Sequence, residues 1–202
     1  MTRPRLSYFD MPVSRGEECR LAFAIAGADF EDHRIARESW PAMKPTTPFG
    51  ALPVLEVPGL PAIAQSNAIL TYIGRRYGAH PTDLVEAARH EAVMAHVEDL
   101  RATVAYTARN ADEATKQRAR EHIAASTIPA WAGYVEAQIS DGPFFAGERP
   151  LVVDVKLYMG MRTFRRGVMD HIPTTVFDAF PKLIRLYDAV EAWPAVQAWI
   201  TR

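Results

Sequence analysis

TPFGALPVLEVPGLPAIAQS, residues Thr47 to Ser66, reads as a turn, a short strand, a second turn and the approach to a helix. Gly50-Ala51-Leu52-Pro53 is the first turn, and the apolar, β-branched run Val54 to Val57 is the strand. Proline is tolerated at a strand's first position and holds the preceding residue extended. The backbone N–H and C=O of Leu52 can then face outward and pair with a short peptide laid alongside as an added strand. Pro58-Gly59 marks the second turn. Gln65-Ser66 precedes the helical run Asn67 to Ile73, which predicts Ser66 as its N-cap. The first N–H groups and positive dipole end of such a helix favour a carboxylate. Backbone pairing beside a carboxylate hole describes a receptor for a small anionic peptide.

Outward from this stretch, residues 5–10 alternate weakly and read as a first strand. Ser14-Arg15-Gly16-Glu17 has the form of a capping box and opens a helix that runs to Gly27. Phe30 to Ile35 is a second strand, and Ala36 to Gly50 is a long, proline-bearing loop of the functional kind. The helix after Ser66 ends at Gly78, so the order is βαβ, loop, ββα, that of a thioredoxin-like domain. From Pro81 onward the period becomes helical. One helix is predicted over Thr82 to Ala108 and another over Asp112 to Ser140, with Pro129 as a kink and Asp141-Gly142-Pro143 as the break. The expected fold is α+β in two domains: thioredoxin-like over residues 1–80, all-helical over residues 81–202.

Composition excludes several classes of function. The chain has 202 residues, enough for two small cores, and its net charge of -1 suggests neither nucleic acid nor a membrane surface as a partner. No apolar run is long enough to span a membrane and the N-terminus lacks a signal-peptide segment, so a soluble cytoplasmic protein is expected. A single cysteine, Cys19, rules out an intramolecular disulfide and a multi-cysteine zinc site. Its place inside the first helix makes it a buried small hydrophobe rather than a reactive thiol. His33, His80, His90, His96, His122 and His171 include no pair at metal-motif spacing, and no metal is expected.

Leu6-Ser7-Tyr8-Phe9-Asp10-Met11, Phe30-Glu31-Asp32-His33-Arg34, Trp40-Pro41-Ala42-Met43-Lys44, the turn from Pro48 to Pro53, and Gln65-Ser66-Asn67-Ala68-Ile69 carry a family resemblance. In that order and spacing they resemble the cytosolic glutathione transferases of the tyrosine-using alpha, mu, pi and sigma group, nearest sigma. The resemblance covers nearly the whole chain, strongly to about residue 78 and more weakly beyond. It implies a detoxifying transferase, with glutathione as co-substrate, that attacks a hydrophobic small-molecule electrophile. Tyr8 takes the catalytic position, its hydroxyl stabilising the glutathione thiolate. Arg15 would adjust the field around it. Trp40 and Lys44 would hold the glycine carboxylate, Leu52 and Pro53 the peptide backbone, and Gln65 and Ser66 the γ-glutamyl end.

Asp99 matches the acidic residue that reaches across from a second copy, which implies a homodimer. Phe49 sits where some relatives insert an aromatic key into that copy, core packing being the alternative. Phe9, Met11, Pro12, Val13, Arg101, Tyr106, Lys156 and Gly160 would line an electrophile pocket between the domains. Arg162, Arg165 and Arg166 read as a solvated basic face, with preference for an anionic substrate as the alternative. Two departures from the family pattern stand out: Ala51 replaces a Lys or Gln, and Leu151 occupies the cap position before Asp154, which costs the next helix about 1 kcal/mol unless another group substitutes. Ser14 is a rival thiolate donor, since serine-using classes place theirs in the same loop. The same thiolate would serve isomerisation or peroxide reduction. A non-catalytic module that binds ligands or a partner on this fold is the reading of a different class.

Overall fold

The computed structural model describes residues 3–107 and 109–202. Its first unit is built on a four-stranded sheet of order β2-β1-β3-β4. The central strand β1 (Arg5–Phe9) runs parallel to β2 (Glu31–Ile35) and antiparallel to β3 (Val54–Glu56), and β3 pairs antiparallel with β4 (Ile63–Ala64). A parallel pair needs a crossover, supplied here by α1 (Ser14–Ile25). The segment expected as a long loop contains short helical turns at Arg37–Ser39, α2 (Trp40–Met43) and Lys44–Thr46. Helix α3 (Ser66–Tyr77) ends at Gly78, whose φ of 76° is the left-handed geometry glycine adopts freely. Leu6, Phe23, Leu55, Ile69, Leu70 and Ile73 form the core of this unit, and Cys19 is buried with them.

Helix α4 (Leu84–Thr107) begins after Asp83, whose carboxylate accepts from Val85 N at 3.0 Å and Glu86 N at 2.9 Å. The predicted end of this helix at Ala108 lies outside the described residues. Asp112 caps α5 (Glu113–His122) by accepting from Thr115 N at 2.7 Å. The predicted kink takes the form of a π-helical stretch, Ile123–Thr127, leading into α6 (Ile128–Glu136). Pro129 has no N–H to donate to the preceding turn, and the wider π register accommodates the missing bond. Helices α7 (Val152–Arg165), α8 (Pro181–Glu191) and α9 (Pro194–Ile200) complete the chain.

Contacts divide the chain into two compact units, Met1–Ala87 with Trp193–Arg202, and Ala88–Ala192. In this division the C-terminal α9 packs on α1 in the first unit. There Trp199 Nε1 donates to Glu17 Oε1 at 2.9 Å, and the indole lies 5.7 Å from the Phe30 ring.

The second unit is organised around α7, which is buried on nearly every face. The arginines predicted as a solvated face are accordingly not solvated as a set. Arg162 is buried 5.9 Å from the Tyr158 ring centroid, Arg165 lies 4.5 Å from that of Tyr187, and Arg166 pairs with Glu191 at 2.9 Å. Burial, with Glu191 alongside, pushes the Tyr158 and Tyr187 hydroxyls above their ordinary pKa. Leu151 offers no capping side chain, yet the start of α7 is secured by Asp154. Its carboxylate accepts from Leu151 N at 2.8 Å and Phe145 N at 2.6 Å. Burial pushes this carboxyl up to about 7, against the opposing pull of those N–H groups.

Asp154→Ala leaves both buried donors without an acceptor, at roughly 1–3 kcal/mol each. Urea unfolding of this variant should show a loss of at least about 2 kcal/mol. A loss under about 0.5 kcal/mol would show that Asp154 does not hold the start of α7.

Candidate active site

Strand register decides what meets at the end of the sheet. Ser7 pairs with Val54, and Val54 with Ala64. The next residue on each strand is Tyr8, Pro53 and Gln65 respectively, so antiparallel pairing carries these three to the same end, with Ser66 just beyond. The Leu52-Pro53 peptide there is cis. Tyr8 also sits opposite Arg34 on the other side of β1.

Tyr8 is 8% exposed, and its ring lies against the first turn of α1. A Cβ added to Gly16 would stand 1.9 Å from Tyr8 Cδ1, so only glycine lets the ring approach the helix backbone this closely. The positive end of a twelve-residue helix is thus under the ring. Phe9 follows with its ring centroid 5.7 Å from that of Tyr8, and Trp40 meets Phe9 edge-on at 5.8 Å.

The sequence reading placed a cap at Ser14 and another at Ser66, and neither forms as predicted. Val13 is the N-cap of α1, without a side-chain cap bond, and Ser14 is the first helical residue at φ 62°. The Glu17 oxygens accept instead from Trp199 Nε1 and Arg20 Nη1. The Ser14 hydroxyl is therefore not accounted for by capping and remains a rival donor. In α3 the N-cap is Gln65, at φ 72° and ψ 120°, while Ser66 is the first helical residue and 3% exposed. Ser66 nonetheless lies at a helix N-terminus, where backbone N–H groups receive anions.

Trp40 and Lys44 were expected on a loop, but the helical turns of this segment put their four-residue spacing on one face. Lys44 is exposed, and its stem passes 3.4 Å from where a Gly50 side chain would begin. Phe49 is 67% exposed, so core packing does not explain it. Leu52 is half-buried and Pro53 buried.

Arg15 was expected to act on Tyr8, and it sits half-buried in the first turn of α1. The arginine found at the Tyr8 ring is Arg20, 5.8 Å from its centroid and fully buried. Its Nε donates to Asp32 Oδ1 at 2.8 Å, Nη1 to Met11 O at 3.0 Å and Glu17 Oε2 at 3.3 Å, and Nη2 to Phe9 O at 3.1 Å. Two of those acceptors are the main-chain carbonyls on either side of Asp10, in the loop that leaves Tyr8. Asp32 passes the network on to Arg34, which also pairs with Asp10 at 2.7 Å. The Asp10 hydrogen bond, with Asp32 behind it, raises the Arg34 pKa further. Sequence reading missed Arg20; the signal was Glu17 and Arg20 three apart on a helix that continues into the apolar run Leu21-Ala22-Phe23.

Of the predicted electrophile-pocket residues, Phe9, Met11 and Val13 belong to the first unit, with Val13 39% exposed. In the second unit, Arg101 and Gly160 line a cavity of about 190 Å³ together with Val104, Arg120 and Phe164. Tyr106 is exposed beside Arg109. Lys156 has no exposed side-chain surface and bonds Glu98 at 2.5 Å, so it does not line an open pocket as predicted. Glu98 also binds Arg101 at 2.7 Å. Asp99 projects outward with its side chain 79% exposed, 3.7 Å from His96 Nδ1. Among the described residues there is no cluster suited to a metal ion, and no helix is long and apolar enough to cross a membrane.

Residues 4–75 match the family model described as glutathione S-transferase, N-terminal domain, and residues 98–202 the one described as glutathione S-transferase, C-terminal domain. Hematopoietic prostaglandin D synthase of Gallus gallus is 33% identical over 202 residues, covering 100% of this chain and 97% of that protein. The crystal structure of the glutathione S-transferase from Ascaris lumbricoides has a TM-score of 0.85 at 29% identity, over 98% of this chain and 96% of that one. A monomeric glutathione S-transferase from the hookworm Necator americanus gives 0.85 at 25% identity, over 99% and 97%.

The packing of Tyr8 on Gly16 makes a direct prediction. Gly16→Ala forces the ring off α1, so conjugation of glutathione should fall at least about ten-fold and stability by about 1–3 kcal/mol. Wild-type turnover in this variant would show that the ring's seat on α1 is irrelevant to activity.

Proposed function

The chain belongs to the glutathione S-transferase family, nearest the sigma group, and we propose that Tyr8 is the residue with which it activates glutathione. It is an enzyme of the glutathione-conjugating kind. The observation that supports Tyr8 is its seat at the sheet end beside Pro53 and Gln65, on the N-terminal turn of α1. A free thiol has a pKa near about 8.5 and is mostly protonated at neutral pH. A hydroxyl donor and a helix dipole both favour the anion. Lowering the pKa by about two units, worth roughly 2.7 kcal/mol, makes the thiolate the majority form.

In this reading the peptide lies along Leu52 and Pro53 as an added strand, its γ-glutamyl carboxylate at the N–H groups opened by Gln65 and Ser66. Its glycine carboxylate meets Trp40 and Lys44. Arg15 supplies positive charge in the first turn of α1. Within the first unit the electrophile draws on Phe9, Met11 and Val13. The enzyme acts in the cytoplasm on reactive, hydrophobic small molecules. A second reading, glutathione-dependent isomerisation, is favoured by the full-length similarity to a prostaglandin D synthase. A screen of conjugation substrates against isomerisable substrates separates the two.

The working unit in this proposal is a homodimer. The outward Asp99 carboxylate would take the γ-glutamyl ammonium bound to a second copy, and the exposed Phe49 ring would pack against that copy. Since one solved relative is monomeric, sedimentation at assay concentration is the necessary check. A dimer is expected, with Asp99→Asn raising the Michaelis constant for glutathione several-fold. An active monomer with unchanged affinity in Asp99→Asn would remove the dimer from the account.

Tyr8→Phe removes one oxygen and keeps the ring on Gly16. Turnover at neutral pH should fall about 10²-fold, and the loss should narrow as pH approaches the free thiol's pKa. The ultraviolet absorbance of bound thiolate, titrated in Tyr8→Phe and Ser14→Ala, assigns the donor. A pKa that stays low in the first and climbs in the second would transfer the role to Ser14.

A further inference from the structure

The buried network around Arg20 connects the far end of the chain to the loop that leaves Tyr8. Trp199 on α9 is 8% exposed, Glu17 2% and Arg20 0%. Glu17 divides its carboxylate between them: Oε1 accepts from Trp199 Nε1 at 2.9 Å and Oε2 from Arg20 Nη1 at 3.3 Å. Arg20 in turn holds the carbonyls of Phe9 and Met11. The Phe9 carbonyl also accepts from Met11 N at 2.9 Å, so the backbone immediately after Tyr8 is a tight turn clamped by one guanidinium.

A buried carboxylate oxygen that loses its donor is costly. It swings toward another group, and that movement disturbs the position of Arg20. The indole N–H is thus the outermost support of a chain of contacts that ends at the main chain holding the Tyr8 ring. We propose that Trp199 is a positioning residue for Tyr8, acting through Glu17 and Arg20. The proposal rests on the reading of Tyr8 as the thiolate's donor. It makes α9 part of the catalytic apparatus, although none of its side chains need touch substrate.

Trp199→Phe keeps an aromatic ring against Phe30 and removes only the N–H and part of the indole. The pH–rate profile for conjugation should move up by about 0.5–1 unit, which is about a 3–10-fold loss of kcat on its acidic limb, with the Michaelis constant for glutathione within about two-fold. Combining it with Glu17→Gln should be no worse than Glu17→Gln alone, because both break the same chain of contacts. Lower thermal stability with an unmoved pH profile, or losses that multiply in the double variant, would overturn the proposal. Should Glu17→Gln fail to fold, the profile of Trp199→Phe decides by itself. Tyr8→Phe is run alongside. If it leaves the bound thiol's pKa unmoved, the donor assignment fails and the relay falls with it; if it raises that pKa while Trp199→Phe does not, the relay alone is wrong.

Discussion

A guanidinium with no exposed surface has to be surrounded by acceptors, and Arg20 imposes that requirement on the first unit. Its partners come from α1, β2, the turn after β1 and, through Glu17, α9. Losing one partner of a buried ion pair typically costs about 3–5 kcal/mol, so each of these segments has little freedom to move independently. The C-terminal helix joins the first unit for this reason as well as for the packing of Trp199 near Phe30. The turn that follows Tyr8 is fixed by the same charge.

The sheet end that we propose receives the peptide is shaped largely by the main chain. Glycine at position 16 admits the Tyr8 ring to the start of α1, and the positive φ of Gln65 points the chain into α3. Strand register then brings Tyr8, Pro53 and Gln65 to one end. In the proposed site a missing side-chain contact at Ala51 would be tolerated, because backbone groups, once placed by the sheet, cannot be substituted away.

Sequence patterns revealed what is periodic and local. The sequence order of the elements, the helical second half and the turn at Pro58-Gly59 all follow from runs that are local or repeat at a fixed period. The two misplaced caps show where this stops. Ser14 and Glu17 have the spacing of a capping box, but the partner that claims Glu17 lies 182 positions away. A residue's most demanding partner, rather than its neighbour in sequence, decides its conformation when both are buried. Lys156 and Arg162 were misjudged for a related reason: their long cationic side chains were assigned to a pocket lining and to a solvated face, whereas α7 is a central helix. Asp154 shows the opposite case, since the expected defect at Leu151 is offset by a carboxylate already in the helix.

Conjugation and isomerisation begin from one thiolate, so the account depends on where sulfur is held rather than on which electrophile meets it. A crystal structure with glutathione bound tests this most directly. The sulfur should lie within hydrogen-bonding distance of the Tyr8 hydroxyl, the backbone paired with Leu52, and the γ-glutamyl carboxylate at the N-terminus of α3. Sulfur placed against Ser14 instead, or a peptide bound away from the Leu52-Pro53 edge, would contradict it.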